Sequence, residues 1–394
     1  MKPTYIKNGR VILGDRIVDG VTIEINDGKI SAVDNNSRIE KRLLREKWDS
    51  PIQREIDVFG TVPIFLRNDE IIIIDAKGCF VSPGFIDTHI HGDPTDVFSH
   101  EVKKGTTSVI LGLSCDRPDK IRDKIDAAQK FRKASDFGSN LLGVRLEGPY
   151  INKIRCGAQN ELFIHRPDRN ELIRILSSCG DLLKIMTIAP ELKNTLPLIR
   201  ILRKKKIIAS IGHSDATYEE AVKGIDAGIS HSTHTFNGMR GIDRRQPGAA
   251  GAVLADERVV AEVIMDAVHV HPALFKLILK TKGPDKTILI TDSIRAEVPR
   301  GAEKTGAVYK FRDGTITGSS ISMIDALRNA VKFCHLALPE AVRLITLSPA
   351  RLLGIERRKG SLGKGKDADI VVFDKNFDVK MTMIRGRIVY SYKP

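Results

Sequence analysis

From Tyr5 to about Val33 apolar and polar residues alternate with period two, and Asn8-Gly9, Asp19-Gly20 and Asp27-Gly28 separate the alternating stretches. That pattern predicts a series of short β-hairpins. It breaks over residues 35–70, where the spacing from Ile39 to Trp48 predicts a basic helix and Pro51 and Pro63 interrupt the residues beyond it, so this stretch reads as an inserted surface element. Ile71 to Val81 returns to strand.

From there the character of the pattern changes. Eight runs, each mostly Val, Ile, Leu and small residues, alternate with amphipathic segments: 85–92, 106–114, 141–148, 182–191, 207–214, 229–237, 259–270 and 287–293. Strands buried on both faces read as continuous apolar runs, and helices between them imply parallel crossovers. Eight such units predict an α/β protein built as a (β/α)8 TIM-like barrel. Asp168 with Glu171 and Thr217 with Glu220 have the spacing of capping boxes and open two of the helices. The first crossover, Asp93 to Gly105, leaves room for only a turn or so of helix. Ser322 to Ile355 reads as two or three helices, after which hairpin alternation resumes to the C-terminus. The expected organisation is a barrel over residues 82–355 and a small β-sandwich domain formed by residues 1–81 and 356–394.

In such a barrel chemistry sits at the C-terminal ends of the strands. Residues i and i+2 of a strand face one way, so His89 and His91 in SPGFIDTHIHG converge at the end of the first. A His-x-His pair alone is as readily two ordinary polar residues. Its weight comes from the other strand ends, which carry Glu147 (third), His213 (fifth), His234 (sixth), His269 (seventh) and Asp292 (eighth). Five of the ten histidines fall there. Unpaired ionisable groups converging on one rim would be costly, which favours a site over structural coincidence. Glu147, His213 and His234 form a two-imidazole, one-carboxylate set that leaves a coordination position open, as hydrolytic zinc sites do. His89 and His91 suit a second metal with Glu147 bridging. A metal lowers the pKa of bound water toward about 7 and two can grip nucleophile and carbonyl oxygen together. Asp292 then suits the general base, with a third ligand as its alternative role.

Composition narrows the field. The chain has 394 residues, 42% of them hydrophobic, enough for a large core, and no apolar run reaches the roughly 18–20 residues of a membrane span. The start, MKPTYIKNGRVILGD, lacks an export signal, so a cytoplasmic protein is expected. Five cysteines without a CxxC pair suggest reduced thiols rather than disulfides or a cysteine zinc site. The net charge of +14 is concentrated at 38–47 and 203–206, runs with apolar residues at helical spacing and without interleaved aromatics. They read as solvated helix faces, not as a nucleic-acid platform.

SPGFIDTHIHG, LEGPYI (146–151), GHSDATYEEA (212–221), HTFNGM (234–239), DAVHVHP (266–272), TDS (291–293), GTITGSSISM (314–323), SPARLLGI and GKDADIVVFD together make the chain resemble the N-acetylglucosamine-6-phosphate deacetylase family of the amidohydrolase superfamily over nearly its whole length. The resemblance implies Glu147, His213 and His234 as main metal ligands, His89 and His91 as a second site and Asp292 as catalytic acid and base. It implies one or two divalent ions, zinc foremost, with iron, nickel, cobalt or manganese as alternatives. Asn237 and the backbone of Gly238 would contact a phosphorylated amino sugar, with His269 near its phosphate and Ile316, Thr317 and Gly318 along its acetyl side. Arg245 resembles an arginine that reaches the phosphate in the partner's site, which implies a homodimer. An arginine fork suits phosphate geometrically. The implied activity removes acetate from the sugar 6-phosphate. Alternatives are an N-acetylgalactosamine phosphate, another N-acyl or cyclic amide, or a catalytically dead barrel used as a scaffold. Three departures stand out. Ala158-Gln159 replaces a motif whose histidine would polarise the substrate carbonyl, leaving Gln159 a donor of hydrogen bonds but not of protons. The first crossover is short, and residues 35–70 are long. Cys156, in the same loop, reads as a small apolar filler.

Overall fold

The computed structural model describes residues 1–36, the strands 54–57 and 64–67, and residues 71–134 and 140–392. The predicted helix from Ile39 to Trp48 lies outside them. Within residues 35–70 the described part is an antiparallel pair, Arg54–Asp57 with Ile64–Arg67, continuing onto Ile71–Asp75, so the insertion extends a sheet. Two compact units emerge, one of residues 1–86, 99–107 and 336–394, the other of residues 87–98 and 108–335. No helix among the described residues is long and apolar enough to cross a membrane.

The first unit contains two six-stranded sheets. Ile6, Ile23, Ile25, Ile30 and Ile74 of one meet Val11, Val81, Ile370, Val372, Met381 and Met383 of the other in one buried cluster, which makes the pair a sandwich. Terminal segments are joined in it: Ile370–Phe373 pairs antiparallel with Phe80–Pro83. Only Asp27-Gly28 of the three predicted turns closes a hairpin, between Val21–Asn26 and Lys29–Asn35, with φ of +47° and +76°. At Asn8-Gly9 and Asp19-Gly20 the chain passes from one sheet to the other: Thr4–Lys7 pairs with Val21–Asn26, whereas Arg10–Leu13 pairs with Arg16–Val18. Alternation reports that one face is buried, not which strand lies alongside.

The second unit carries the barrel, apart from the first two residues of its first two strands. Its strands are Phe85–Gly92, Thr106–Leu113, Leu141–Glu147, Leu183–Ile188, Ile208–Ile211, Ile229–Ser232, Val260–Ile264 and Thr287–Ile290, hydrogen-bonded in that order. The eighth strand breaks at Thr291-Asp292 and resumes as Ser293–Ala296, which pairs parallel with the first (Ile90 opposite Ser293) and closes the ring. Beyond it, Ile316–Ser319 pairs parallel with Ser293–Ala296, and Val308–Lys310 and Glu303–Thr305 follow antiparallel, an extension that the hydrophobic pattern did not announce. The first crossover holds more helix than expected: Pro94–Glu101 plus a 3-10 turn at Val102–Lys104. Asp93 makes this possible, its carboxylate accepting from Thr95 N–H so that the helix starts at once. The expected capping box at Thr217 and Glu220 is present, and Asp168 caps its helix through Glu171 N–H.

Candidate active site

Asp87, His89 and His91 are alternate residues of the first strand and turn to its inner face, as Arg145 and Glu147 do on the third and Glu262 on the seventh. His213, His234 and Asp292 sit just past the ends of the fifth, sixth and eighth strands at φ of +46°, +29° and +47°. Three non-glycine residues held in the left-handed region at one barrel mouth are the kind of strain that collects at functional sites.

These side chains converge on Glu147. Its Oε1 lies 2.7 Å from His89 Nε2 and 3.1 Å from His91 Nε2. Oε2 faces His213 Nε2 at 3.2 Å and His234 Nε2 at 3.6 Å. Asp292 Oδ1 is 3.1 Å from His91 Nε2 and 3.3 Å from His89 Nε2. Two ligand groups result, His89, His91, Glu147 and Asp292 on one side and Glu147, His213 and His234 on the other, each with one donor atom per residue inside 4.8 Å. They share Glu147.

Three of the four imidazoles have a partner on the outer nitrogen. Nδ1 of His213 reaches the Arg155 carbonyl at 2.9 Å, that of His234 the Asn237 carbonyl at 3.1 Å, and that of His89 the Glu262 carboxylate at 2.8 Å. A carbonyl can only accept, so Nδ1 carries the proton and Nε2 keeps its lone pair for a cation. The electrostatics differ from one imidazole to the next. Burial and the Arg145 guanidinium push His89 down, yet Asp292, Glu147 and Glu262 carry it up to about 10. Burial lowers His91 too, but Asp292 and Glu147 raise it to about 9. Desolvation pulls the Glu147 and Asp292 carboxyls upward, but the imidazoles, His89 first, hold both well below the usual carboxylate range. Burial lowers His234, so the demand for positive charge lies with the carboxylates around His89 and His91. Imidazole and carboxylate donors satisfied on their outer sides meet that demand with a divalent ion, so the residues fit the metal expected of them.

A cavity of about 430 Å³ opens over this cluster. His91, Glu147, His213, His234 and Asp292 form its floor, and Ala158, Gln159, Asn237, Gly238, His269, Ile316, Thr317 and Gly318 line it as well. His269 is not at a strand end: the seventh strand stops at Ile264, and the histidine lies in the turn beyond, fixed by Asp266 Oδ2 at 2.6 Å from Nδ1. Arg245 does not line this cavity; it is exposed on the loop after His234, its N–H on Asp243. Gln159 lines the cavity, but its amide is engaged below it, with Cys115 N–H and Glu147. Cys156 is buried against Cys115, Ile151 and Ile164, as a filler would be.

Sequence reasoning missed the support beneath. Glu262 is fully buried and touches His89, Arg145 Nη1 (2.6 Å), the His234 N–H (3.0 Å) and His231 Nε2 (3.4 Å). Arg145 in turn donates to the Thr88 carbonyl and the Thr233 hydroxyl. A signal existed: Glu262 is a lone charge inside an otherwise apolar strand and Arg145 a buried-strand charge two residues before Glu147, and buried charges of opposite sign must find each other. Asp87 was missed too; it accepts from Thr291 Oγ1 at 2.6 Å and from His89 N–H, which anchors the break before Asp292.

The profile of the Amidohydrolase family matches residues 80–389. An N-acetylglucosamine-6-phosphate deacetylase of Bacillus subtilis is 32% identical over 98% of this chain and 97% of its own. An N-acetylgalactosamine-6-phosphate deacetylase of Escherichia coli O157:H7 is also 32% identical, over 89% of this chain and 98% of its own. The crystal structure of N-acetylglucosamine-6-phosphate deacetylase from Pasteurella multocida superposes with a TM-score of 0.84 at 25% identity, covering 98% of this chain and 99% of that one.

Proposed function

The chain belongs to the amidohydrolase family, and from that premise we propose that it hydrolyses the acetamide of N-acetylglucosamine-6-phosphate to glucosamine-6-phosphate and acetate. The observation that carries this reading is the pair of candidate ligand groups sharing Glu147, one of them including Asp292, under a cavity of about 430 Å³. Glu147, His213 and His234 would hold a divalent ion, zinc foremost, and His89 and His91 a second; when bound, the metal would supply a Lewis acid for the acyl oxygen and bring the pKa of a water toward about 7.

The residues of the chain do the rest. Asp292 is ionised at neutral pH because its imidazole neighbours outweigh burial, so it takes a proton from the attacking water. It returns that proton to the sugar nitrogen as the C–N bond breaks, leaving acetate and the free amine. Its position is over-determined: Asp292 N–H donates to the His89 carbonyl at 2.8 Å and its carbonyl accepts from Ser319 N–H at 2.9 Å. Asn237 and the Gly238 backbone orient the sugar, His269 faces the phosphate, and Ile316, Thr317 and Gly318 enclose the acetyl group. Arg245, exposed and outside its own chain's cavity, reaches the phosphate of a partner's site in a cytoplasmic homodimer.

The galactosamine epimer is the second reading, since a relative named for it has the same 32% identity as one named for the glucosamine, over 89% of this chain against 98%. Acetate release from the two 6-phosphates and from unphosphorylated N-acetylglucosamine, by zinc-loaded protein, tests all three points. Fast release from N-acetylglucosamine-6-phosphate alone is expected. Release from neither phosphate, with metal bound, moves the substrate to another N-acyl or cyclic amide.

A further inference from the structure

We infer that Gln159 is a positioning residue for Glu147 rather than a contact for the substrate carbonyl, closing a ring of three hydrogen bonds that sets the rotation of the shared carboxylate. The inference rests on Glu147 being a metal ligand, as proposed above.

The orientation of the Gln159 amide is unambiguous. Cys115 N–H lies 2.7 Å from Oε1, and a backbone N–H can only donate, so the carbonyl end of the amide is the end at Cys115. The NH2 end then points the other way, and Nε2 donates to Glu147 Oε2 at 3.3 Å. The ring is completed by Cys115 Sγ, which donates to the Glu147 backbone carbonyl at 3.0 Å. Cys115 and Gln159 thus hold Glu147 at both its main chain and its side-chain tip.

The tip needs holding. The terminal torsion of a glutamate is broad and roughly two-fold, so packing alone sets it poorly. Among the described residues, the other hydrogen-bond and ion-pair partners of this carboxylate are His89, His91, His213 and His234, all candidate ligands themselves. Gln159 is the partner that is not a ligand, and it engages Oε2, the oxygen that faces His213 and His234. Turning the amide toward a substrate carbonyl would bare Cys115 N–H and release Oε2 together. The space behind is closed as well: a Cβ on Gly148 would stand 2.5 Å from Cys115 Sγ, so the sulfur has no slack toward that residue.

The test is Gln159→Met, which keeps the length of the side chain and removes both bonds. Gln159 is half-buried on a loop, so the fold should survive. Zinc retention against a graded chelator series, with ions per chain counted by elemental analysis, is the primary readout. Loss of an outer partner costs about 10- to 100-fold in metal affinity, and that loss is expected here, with KM unchanged at saturating zinc and kcat largely restored by excess zinc. Unchanged zinc retention with a fall in kcat that excess zinc does not repair would overturn the inference and put Gln159 on the substrate. Failure of the wild-type protein itself to retain zinc would remove the metal reading of the site, and this inference with it. A crystal structure of the wild-type protein with zinc and a non-hydrolysable acetamide gives an independent check: Nε2 should stay on Glu147, and its transfer to the acyl oxygen would refute the assignment.

Discussion

Inside the barrel the Nδ1 of His89 points at Glu262 Oε1, 2.8 Å away, with both side chains fully buried. The same carboxylate receives the His234 N–H on Oε1 and Arg145 on Oε2, so one residue on the seventh strand orients a ligand of each metal group. Glu262→Gln should therefore disturb both groups at once. Replacing the carboxylate also leaves Arg145 buried beside a neutral amide, and breaking a buried ion pair from one side costs roughly 3–5 kcal/mol. The expected outcome is a lower chemical-denaturation midpoint together with weaker zinc retention. A variant of wild-type stability and metal content would show that Glu262 only fills space.

Gly112 offers a way to move a ligand without touching it. It sits on the second strand with an ordinary backbone conformation, and a Cβ there would lie 2.6 Å from His91 Cε1 and 2.8 Å from Nε2. His91 is closed in by Glu147 and Asp292 and cannot swing aside cheaply. Gly112→Ala should cost about 1–3 kcal/mol through overpacking, and it should deplete the ion bound by His89 and His91 before the one bound by His213 and His234. Metal counting at limiting zinc reads the difference; full occupancy of both would mean that the imidazole relaxes freely.

The barrel was legible because each strand buried on both faces leaves a continuous apolar run, and the cluster around Glu147 because imidazoles at the ends of such runs have few structural uses. The hidden features depend on partners distant in sequence. Arg145 and Glu262 pair across 117 residues of sequence, and each read alone looks like an error in a strand. Thr4–Lys7 and Arg10–Leu13 share one alternation but lie in different sheets, because period two fixes a buried face and leaves the neighbour open. The apolar run VVAEVIMDAVHV puts His269 at a strand end, yet Asp266 bends the chain into a turn first by accepting the Val268 and His269 N–H groups. Gln159 is readable as a donor, but its acceptor is not, since that depends on the Cys115 backbone.

Away from the site, Lys282 supplies a pH signature of the fold. Its ammonium donates to the Val253 and Asp256 carbonyls at the end of the helix Gly248–Ala255. Burial nevertheless pushes its pKa down to about 8 from 10.5. Between about pH 8 and 10.5 the unfolded chain therefore binds more protons than the folded one, so this group makes stability rise with pH across that window. Below pH 8 the cost of the buried charge is present in full. Urea denaturation at pH 7.5 and 10.5 should show a larger relative gain for the wild-type protein than for Lys282→Met, whereas parallel changes in the two proteins would place the lysine in water.

Asp292 and Arg245 can be tested together, because the proposed dimer puts them in one active site from two chains. Asp292→Asn alone should lower kcat by about 10²- to 10⁴-fold, as loss of a positioned acid–base group does, with KM little changed. Arg245→Ala should raise KM for the 6-phosphate and leave the slow reaction of the unphosphorylated sugar as it was. If Arg245 serves the partner's site, a hybrid of the two variants contains one site with Asp292 from its own chain and Arg245 from the other, and one site with neither. Random reassociation of equal amounts would make half the dimers hybrid, so activity at low substrate should recover to about a quarter of the wild-type value by the symmetry of a two-fold dimer. An arginine acting within its own chain gives no recovery, since no site in the mixture then contains both groups.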